Sequence, residues 1–206
     1  MKTIVYVVDD DQSVRQSIVR LLASAGYPAI EFDSADTFLT YSFSDVPSCI
    51  ILDMKMPDKD GLHVADALKA CGREMPVIFL TGYGTIPMSV LAMKAGAYEF
   101  LTKPVNSDDL LKAVEDALTL ASNNAGEMLE YQHIKQRYLT LTPREQEVLA
   151  LTIKGLLNKQ IAAQLGVSEI TVKVHRRRVM DKMQVRSLAD LVRHAERLNV
   201  NKAKAS

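Results

Sequence analysis

Cys49-Ile50-Ile51-Leu52-Asp53-Met54-Lys55-Met56-Pro57 is an apolar run that stops abruptly at a carboxylate. Several consecutive apolar residues, too few for a helix, predict a short strand buried on both faces. Asp53 then stands at the strand's carboxyl end, and in open parallel sheets the crevice above those ends takes the ligand. A second reading stays open here: Asp53 merely begins the turn that Pro57-Asp58-Lys59-Asp60-Gly61 spells. What other strands deliver to the same rim decides between the two.

Outward from that strand, strand and helix alternate. Thr3 to Val8 is apolar and closes on Asp9-Asp10-Asp11, and Asp11 can cap a helix from Gln12 to about Ala25, with Val14, Ile18, Leu21 and Leu22 on one face. Gly26-Tyr27-Pro28 stops it. A short strand, Ala29 to Phe32, precedes a helix capped by Ser34 and running to about Phe43. After the central strand come a helix over Leu62 to Ala70, a strand Val77 to Leu80, the turn Thr81-Gly82-Tyr83-Gly84 and a helix from Ile86 to about Lys94. The last strand is Tyr98 to Leu101, Lys103-Pro104 follows, and Ser107 caps a final helix through Leu110, Val114 and Leu118. Five strands and five helices in alternation predict a doubly wound five-stranded parallel sheet of flavodoxin-like type.

The strand ends then deliver Asp9 and Asp10, Asp53, Thr81 and Lys103 to one edge. Each has an ordinary reading alone: Asp9, Asp10 and Asp11 as helix caps, Thr81 as a turn residue, Lys103 as a surface lysine. Together they describe a site. Crowded carboxylates repel one another unless a cation joins them, and their hard oxygens suit Mg²⁺, which accepts phosphate oxygens as further ligands. Lys103 and Thr81 would be donors for an incoming anion, so the set suits a phosphoryl group carried on a carboxylate. His63, past the acid on a helix, reads as a solvated side chain.

Composition bounds the rest. The 206 residues carry no net charge, but residues 1 to 140 hold 12 positive and 19 negative charges and residues 141 to 206 hold 13 and 6. An acidic half joined to a basic half predicts two domains, the second a polyanion binder. Two cysteines, Cys49 and Cys71, make no disulfide framework. With no signal peptide at Ile4 to Val8 and no run approaching the roughly 18 apolar residues of a membrane span, a cytoplasmic protein that does not engage a membrane is expected.

Val7-Val8-Asp9-Asp10-Asp11, Leu52-Asp53-Met54-Lys55-Met56-Pro57-Asp58-Lys59-Asp60-Gly61, Leu80-Thr81-Gly82 and Leu101-Thr102-Lys103-Pro104 resemble the four signatures of bacterial response-regulator receiver domains, over roughly the first 120 residues. The resemblance implies that Asp53 accepts a phosphoryl group from a sensor histidine kinase. It implies Mg²⁺, with Mn²⁺ able to substitute, held by Asp10, Asp53 and the backbone carbonyl of Lys55, with Asp9 reaching a metal-bound water. Thr81 and Lys103 would bind phosphoryl oxygens, the Lys103-Pro104 bond would be cis, and Phe100 falls at the family's aromatic switch position, where a core reading competes.

Residues 120–140 read as a helical linker that carries Asn123-Asn124-Ala125-Gly126, which disfavours a helix without excluding one, and whether it continues the receiver's last helix stays open. Beyond Leu141 the pattern is all helical. Thr142-Pro143-Arg144-Glu145 carries an N-cap, a proline at the first position and a capping-box glutamate, starting a helix that stops at Gly155. Lys159 to Leu165, the turn Gly166-Val167-Ser168 and a helix capped by Ser168 through about Met183 form a helix-turn-helix. On the second of these, Val172, Val179 and Met183 share a packing face, and Lys173, Arg176, Arg177 and Met180 share another. A basic helical face is ordinarily just solvated, but this one lies where a helix-turn-helix meets a major groove.

Leu141 to Leu198, including Asn158-Lys159-Gln160-Ile161-Ala162 and Thr171-Val172-Lys173-Val174-His175, resembles a LuxR-type DNA-binding domain. The chain as a whole is similar to response regulators of the FixJ subfamily within the FixJ/NarL group. The resemblance implies a receiver at 1–119, a linker at 120–140 and an all-α four-helix DNA-binding domain at 141–206. It implies that Lys173, Val174 and Arg177 face bases, that Lys159, Thr171, His175 and Arg176 approach phosphates, and that Ser187 to Leu198 pairs two such domains on DNA. The expected function is a transcription activator, not an enzyme, that dimerises when phosphorylated, binds promoter DNA and engages RNA polymerase. A hydrolase working through an aspartyl-phosphate is disfavoured because the residue two past Asp53 is Lys55 rather than an acid. A constitutive DNA binder with the receiver as a scaffold is disfavoured by the complete acid, threonine and lysine set. Lys55 and Tyr83, two past Asp53 and Thr81, are poor at positioning water, which predicts a long-lived phosphorylated form.

Overall fold

A computed structural model describes residues 2–57, 59–82 and 86–200, with the backbone alone over 86–89. The expectations for Asp58, for Tyr83 and Gly84 of the turn, and for residues 201–206 lie outside the described residues. The chain forms two compact units, Met1–Ala125 and Gly126–Ser206.

In the first unit β1 (Ile4–Val8), β2 (Ala29–Phe32), β3 (Ser48–Asp53), β4 (Val77–Thr81) and β5 (Glu99–Thr102) form one sheet in the order β2-β1-β3-β4-β5. Every pairing is parallel. The chain leaves β1 for β2 on one side, then crosses over β1 to β3 and continues to the other side, so a crevice opens above the carboxyl ends of β1 and β3, where the strand order reverses. The period-2 alternation of a strand divides the core in two. Tyr6, Val8, Ile50, Leu52 and Phe79 face α2 (Ala35–Leu39), α3 (Gly61–Ala70) and Ala92 of α4 (Ile86–Lys94). Val5, Val7, Ile51, Ile78 and Leu80 face α1 (Gln12–Ser24) and the start of α5 (Ser107–Leu139). Both faces are covered, so β3 is buried along its whole length.

Two local expectations of this unit need correction, and one left open is decided. The helix after Ser34 ends at Leu39 rather than near Phe43, because Tyr41 and Phe43 fold back into an edge-to-face cluster. Phe43 lies 5.2 Å from Tyr6 and 5.0 Å from Phe38, and Tyr41 lies 5.2 Å from Phe32, between ring centroids. A continued helix would forfeit those contacts. The last receiver helix is capped not by Ser107 but by Asn106, whose Oδ1 accepts from the backbone N–H groups of Asp108 and Asp109. That helix then runs without a break through Asn123-Asn124-Ala125-Gly126 to Leu139.

The second unit takes the last turns of α5 with α6 (Pro143–Ile153), α7 (Asn158–Leu165), α8 (Glu169–Met183) and α9 (Leu188–Arg197). The capping box of Thr142 and Glu145 is formed, Gly166 closes α7 at φ +64°, and Ser168 caps α8. One core gathers Ile134, Leu149, Val179, Met183 and Leu191, and a second gathers Val148, Ile161, Ala162 and Val172. Val172, Val179 and Met183 are buried as expected, but Met180 packs against the first of these cores instead of sharing the outward face of Lys173 and Arg177. A long thioether beside a core gap is worth more packed than wet.

Candidate functional site

The sheet rim brings together residues from four strand ends. Asp9, Asp53 and Thr81 are almost fully buried, while Asp10 is exposed. One carboxylate oxygen from each of Asp9, Asp10 and Asp53 lies within 4.8 Å of the others. Lys103 reaches in after β5, where its backbone N–H donates to the Thr81 carbonyl at 2.7 Å and the Lys103-Pro104 bond is cis. Its Nζ donates to Asp9 Oδ2 at 2.7 Å and to Asp53 Oδ2 at 3.0 Å. The remaining Asp9 oxygen accepts from the Asp11 N–H at 2.9 Å, and Asp53 Oδ1 accepts from the Lys55 N–H at 3.3 Å. Lys55 itself is exposed, His63 is exposed, and Phe100 sits half-buried at the edge of the core opposite Phe79.

Burial pushes the Asp9 carboxyl above its ordinary range, with the Asp53 charge adding to the push and Lys103 opposing it. Burial would depress the Lys103 ammonium, but hydrogen bonds and charge from Asp9 and Asp53 outweigh that and raise its pKa. One ammonium against three carboxylates leaves the rim with excess negative charge. Its donors are all oxygen, and Asp10 is open to solvent, so the residues fit a hard divalent cation.

Two supports escaped the sequence reading. Arg15 Nη1 donates to the Asp9 backbone carbonyl at 2.6 Å and so pins the end of β1. The only signal was a base four residues past the Asp11 cap. Gly61 leaves no room for a side chain: a Cβ there would meet the Asp53 carbonyl oxygen at 2.6 Å and the Phe79 ring at 3.0 Å. Only glycine lets α3 start this close to the end of β3.

In the second unit α8 presents Lys173, Val174 and Arg177 outward, with Lys159 exposed on α7. Thr171, His175 and Arg176 are half-buried flanks. Thr171 shares a 2.8 Å hydrogen bond with Ser168, and Arg176 Nη1 donates to Asn158 Oδ1 at 2.6 Å, which ties α8 to the start of α7. His175 Nδ1 is buried without a hydrogen-bond partner among the described residues. Beneath this surface Lys182 donates to Glu145 Oε2 at 2.6 Å and to the Thr140 carbonyl at 3.1 Å. Burial alone would raise the Glu145 carboxyl, but Lys182 and the Thr142 N–H hold it below its ordinary range. The Asn158–Arg176 and Glu145–Lys182 pairs join residues far apart in sequence and had no local signal.

An acidic rim on a doubly wound sheet and a basic helix-turn-helix define two functional modules, and comparison with known proteins agrees with both. Residues 5–115 match the response regulator receiver domain, and residues 139–195 match the bacterial regulatory proteins of the luxR family. The chain therefore belongs to the two-component response regulators that join a receiver to a LuxR-type DNA-binding domain, and it is a transcription regulator. Among individual regulators the chain is similar to StyR: the solved structure of response regulator StyR is 47% identical, with a TM-score of 0.86 over 95% of this chain and 99% of that one. Nodulation protein W of Bradyrhizobium diazoefficiens is 44% identical over 97% of this chain and 88% of its own length. Response regulator protein TodT of Pseudomonas putida is 43% identical over 95% and 86%. No helix among the described residues is long and apolar enough to cross a membrane.

Proposed function

We propose that Asp53 accepts a phosphoryl group from the histidine of a sensor kinase and that this switches a promoter-binding activator. The observation that carries the reading is the Lys103 ammonium shared between the Asp9 and Asp53 carboxylates. It orients Asp53 while keeping a donor where phosphoryl oxygens arrive. In the transfer an Asp53 oxygen forms the new bond to phosphorus as the bond to the kinase histidine breaks. Asp10, Asp53 and the Lys55 carbonyl, with Asp9 alongside, would hold Mg²⁺ or Mn²⁺, which supplies neutralisation of phosphoryl charge. Thr81 turns toward the phosphoryl group, Phe100 follows, and the surface of α4, β5 and α5 shifts in favour of a homodimer.

In this reading residues 1–119 are the receiver, 120–140 the linker and 141–206 the DNA-binding domain, acting in the cytoplasm. Lys173, Val174 and Arg177 read bases; Lys159, Thr171, His175 and Arg176 track phosphates; α9 pairs two copies on a two-fold site; bound dimers recruit RNA polymerase. The test is DNA binding to a candidate promoter with and without acetyl phosphate and Mg²⁺. Tighter binding only when both are present is expected, and equal affinity in all conditions would leave the receiver a mere scaffold.

A further inference from the structure

The outward face of α8 carries an apolar feature that cationic contacts do not use. Ile170 is 77% exposed, the highest value among the large apolar side chains described, and Val174, one turn on, is 45% exposed. Ile170 stands about two and a half turns from buried Val179, so it points away from the core, with Val174 on one side of it around the helix and Arg177 and Lys173 on the other. It adds nothing to the packing of its own unit. Both side chains are β-branched and stiff, so little freedom is lost when they are pressed against a partner. Ile170 is also the second residue of α8, and the amino-terminal residues of such a helix are those that meet base edges.

The major groove offers one apolar group to such a surface, the C5-methyl of thymine. We propose that Ile170, with Val174, is a specificity determinant that packs on thymine methyl groups. This rests on the DNA-reading assignment above. Four residues of helix span about 6 Å, and base pairs are stacked about 3.4 Å apart. The two side chains therefore contact methyls one to two base-pair steps apart in each half-site, while Lys173 and Arg177 take neighbouring polar edges.

The full chain, with acetyl phosphate and Mg²⁺ present, would be used to enrich its sites from random duplex DNA. Each thymine of the enriched half-site would then be replaced by deoxyuridine, which deletes only the methyl. One or two positions should lose about three- to sixfold in affinity, the scale of burying one methyl group. Ile170→Ala, whose thermal midpoint should match the parent's because the side chain is exposed, should bind more weakly and become indifferent to the change at one of those positions. Val174→Ala should become indifferent at the other. Enrichment of a site with no methyl dependence, or an Ile170→Ala variant that keeps the full dependence, overturns the inference alone. An Ile170→Ala variant with unchanged DNA affinity but lost transcription also overturns it, in favour of a protein partner. Failure to enrich any sequence would sink the DNA-reading assignment itself.

Discussion

The two units use charge in opposite ways. On the sheet rim Asp9 is 1% and Asp53 7% exposed, and Lys103 bridges them from 94 and 50 residues away. On α8 the Arg177 side chain is 87% exposed, and the Asp181 carboxylate lies 4.0 Å from its Nε. Buried charges in a low-dielectric setting hold one geometry and tolerate no vacancy. Exposed charges are screened and individually weak. A reaction centre needs the former, because it must place atoms to a fraction of an ångström. A surface that slides along a polyanion before reading it is better served by the latter.

The sharpest break of that contrast is Asp53→Asn. The amide keeps the shape but removes the nucleophile, so phosphorylation by acetyl phosphate should vanish altogether. A full phosphoryl adduct by intact mass would remove Asp53 from the role. Next comes Gly61→Ala, which drives a Cβ to 2.6 Å from the Asp53 carbonyl oxygen. It should destabilise the first unit by about 1–3 kcal/mol and slow phosphorylation, as read by denaturant unfolding and a rate assay. An unchanged rate would show that the rim tolerates movement of β3.

On the exposed side, Arg177→Ala should weaken specific DNA binding by about 1–3 kcal/mol and relax preference at one base pair. Phosphorylation of Asp53 should be unaffected. A loss equal for all sequences would demote Arg177 to a phosphate contact.

The smallest effect separates the units by pH. Glu145 has a lowered pKa, so its contribution is present above the ordinary value of 4.5 and is lost as pH falls through the folded-state value. Glu145→Gln should therefore cost about 1–2 kcal/mol at neutral pH, discounted for the partly exposed Lys182, and progressively less in acid. Asp9 has a raised pKa, so its charged form is a penalty that grows as pH rises from 3.8 through the folded-state value. In EDTA, Asp9→Asn should gain stability at neutral pH, and the gain should shrink in acid. Unfolding midpoints across pH that move together in both variants would contradict the opposite electrostatics of the two sites.

Much of this molecule was legible in its sequence because the deciding interactions are local or follow from one periodicity. β1, β3 and β4 are buried on both faces, and an uninterrupted apolar run says so directly. The capping box of α6 and the Ser168 cap of α8 lie within four consecutive residues each. Parallel strands end on one rim by geometry, so Asp9, Asp10, Asp53, Thr81 and Lys103 could be gathered there before any coordinates. Only the tertiary structure decided that α2 stops at Leu39 to release Tyr41 and Phe43, that Met180 turns inward, and that Arg15 grips the Asp9 carbonyl. The same holds for the exclusion of any side chain at Gly61 and for the pairing of Arg176 with Asn158 and of Lys182 with Glu145. Those contacts join segments whose separation in the chain leaves no periodic trace, and they depend on which side chains a finished packing arrangement leaves within a few ångströms of each other.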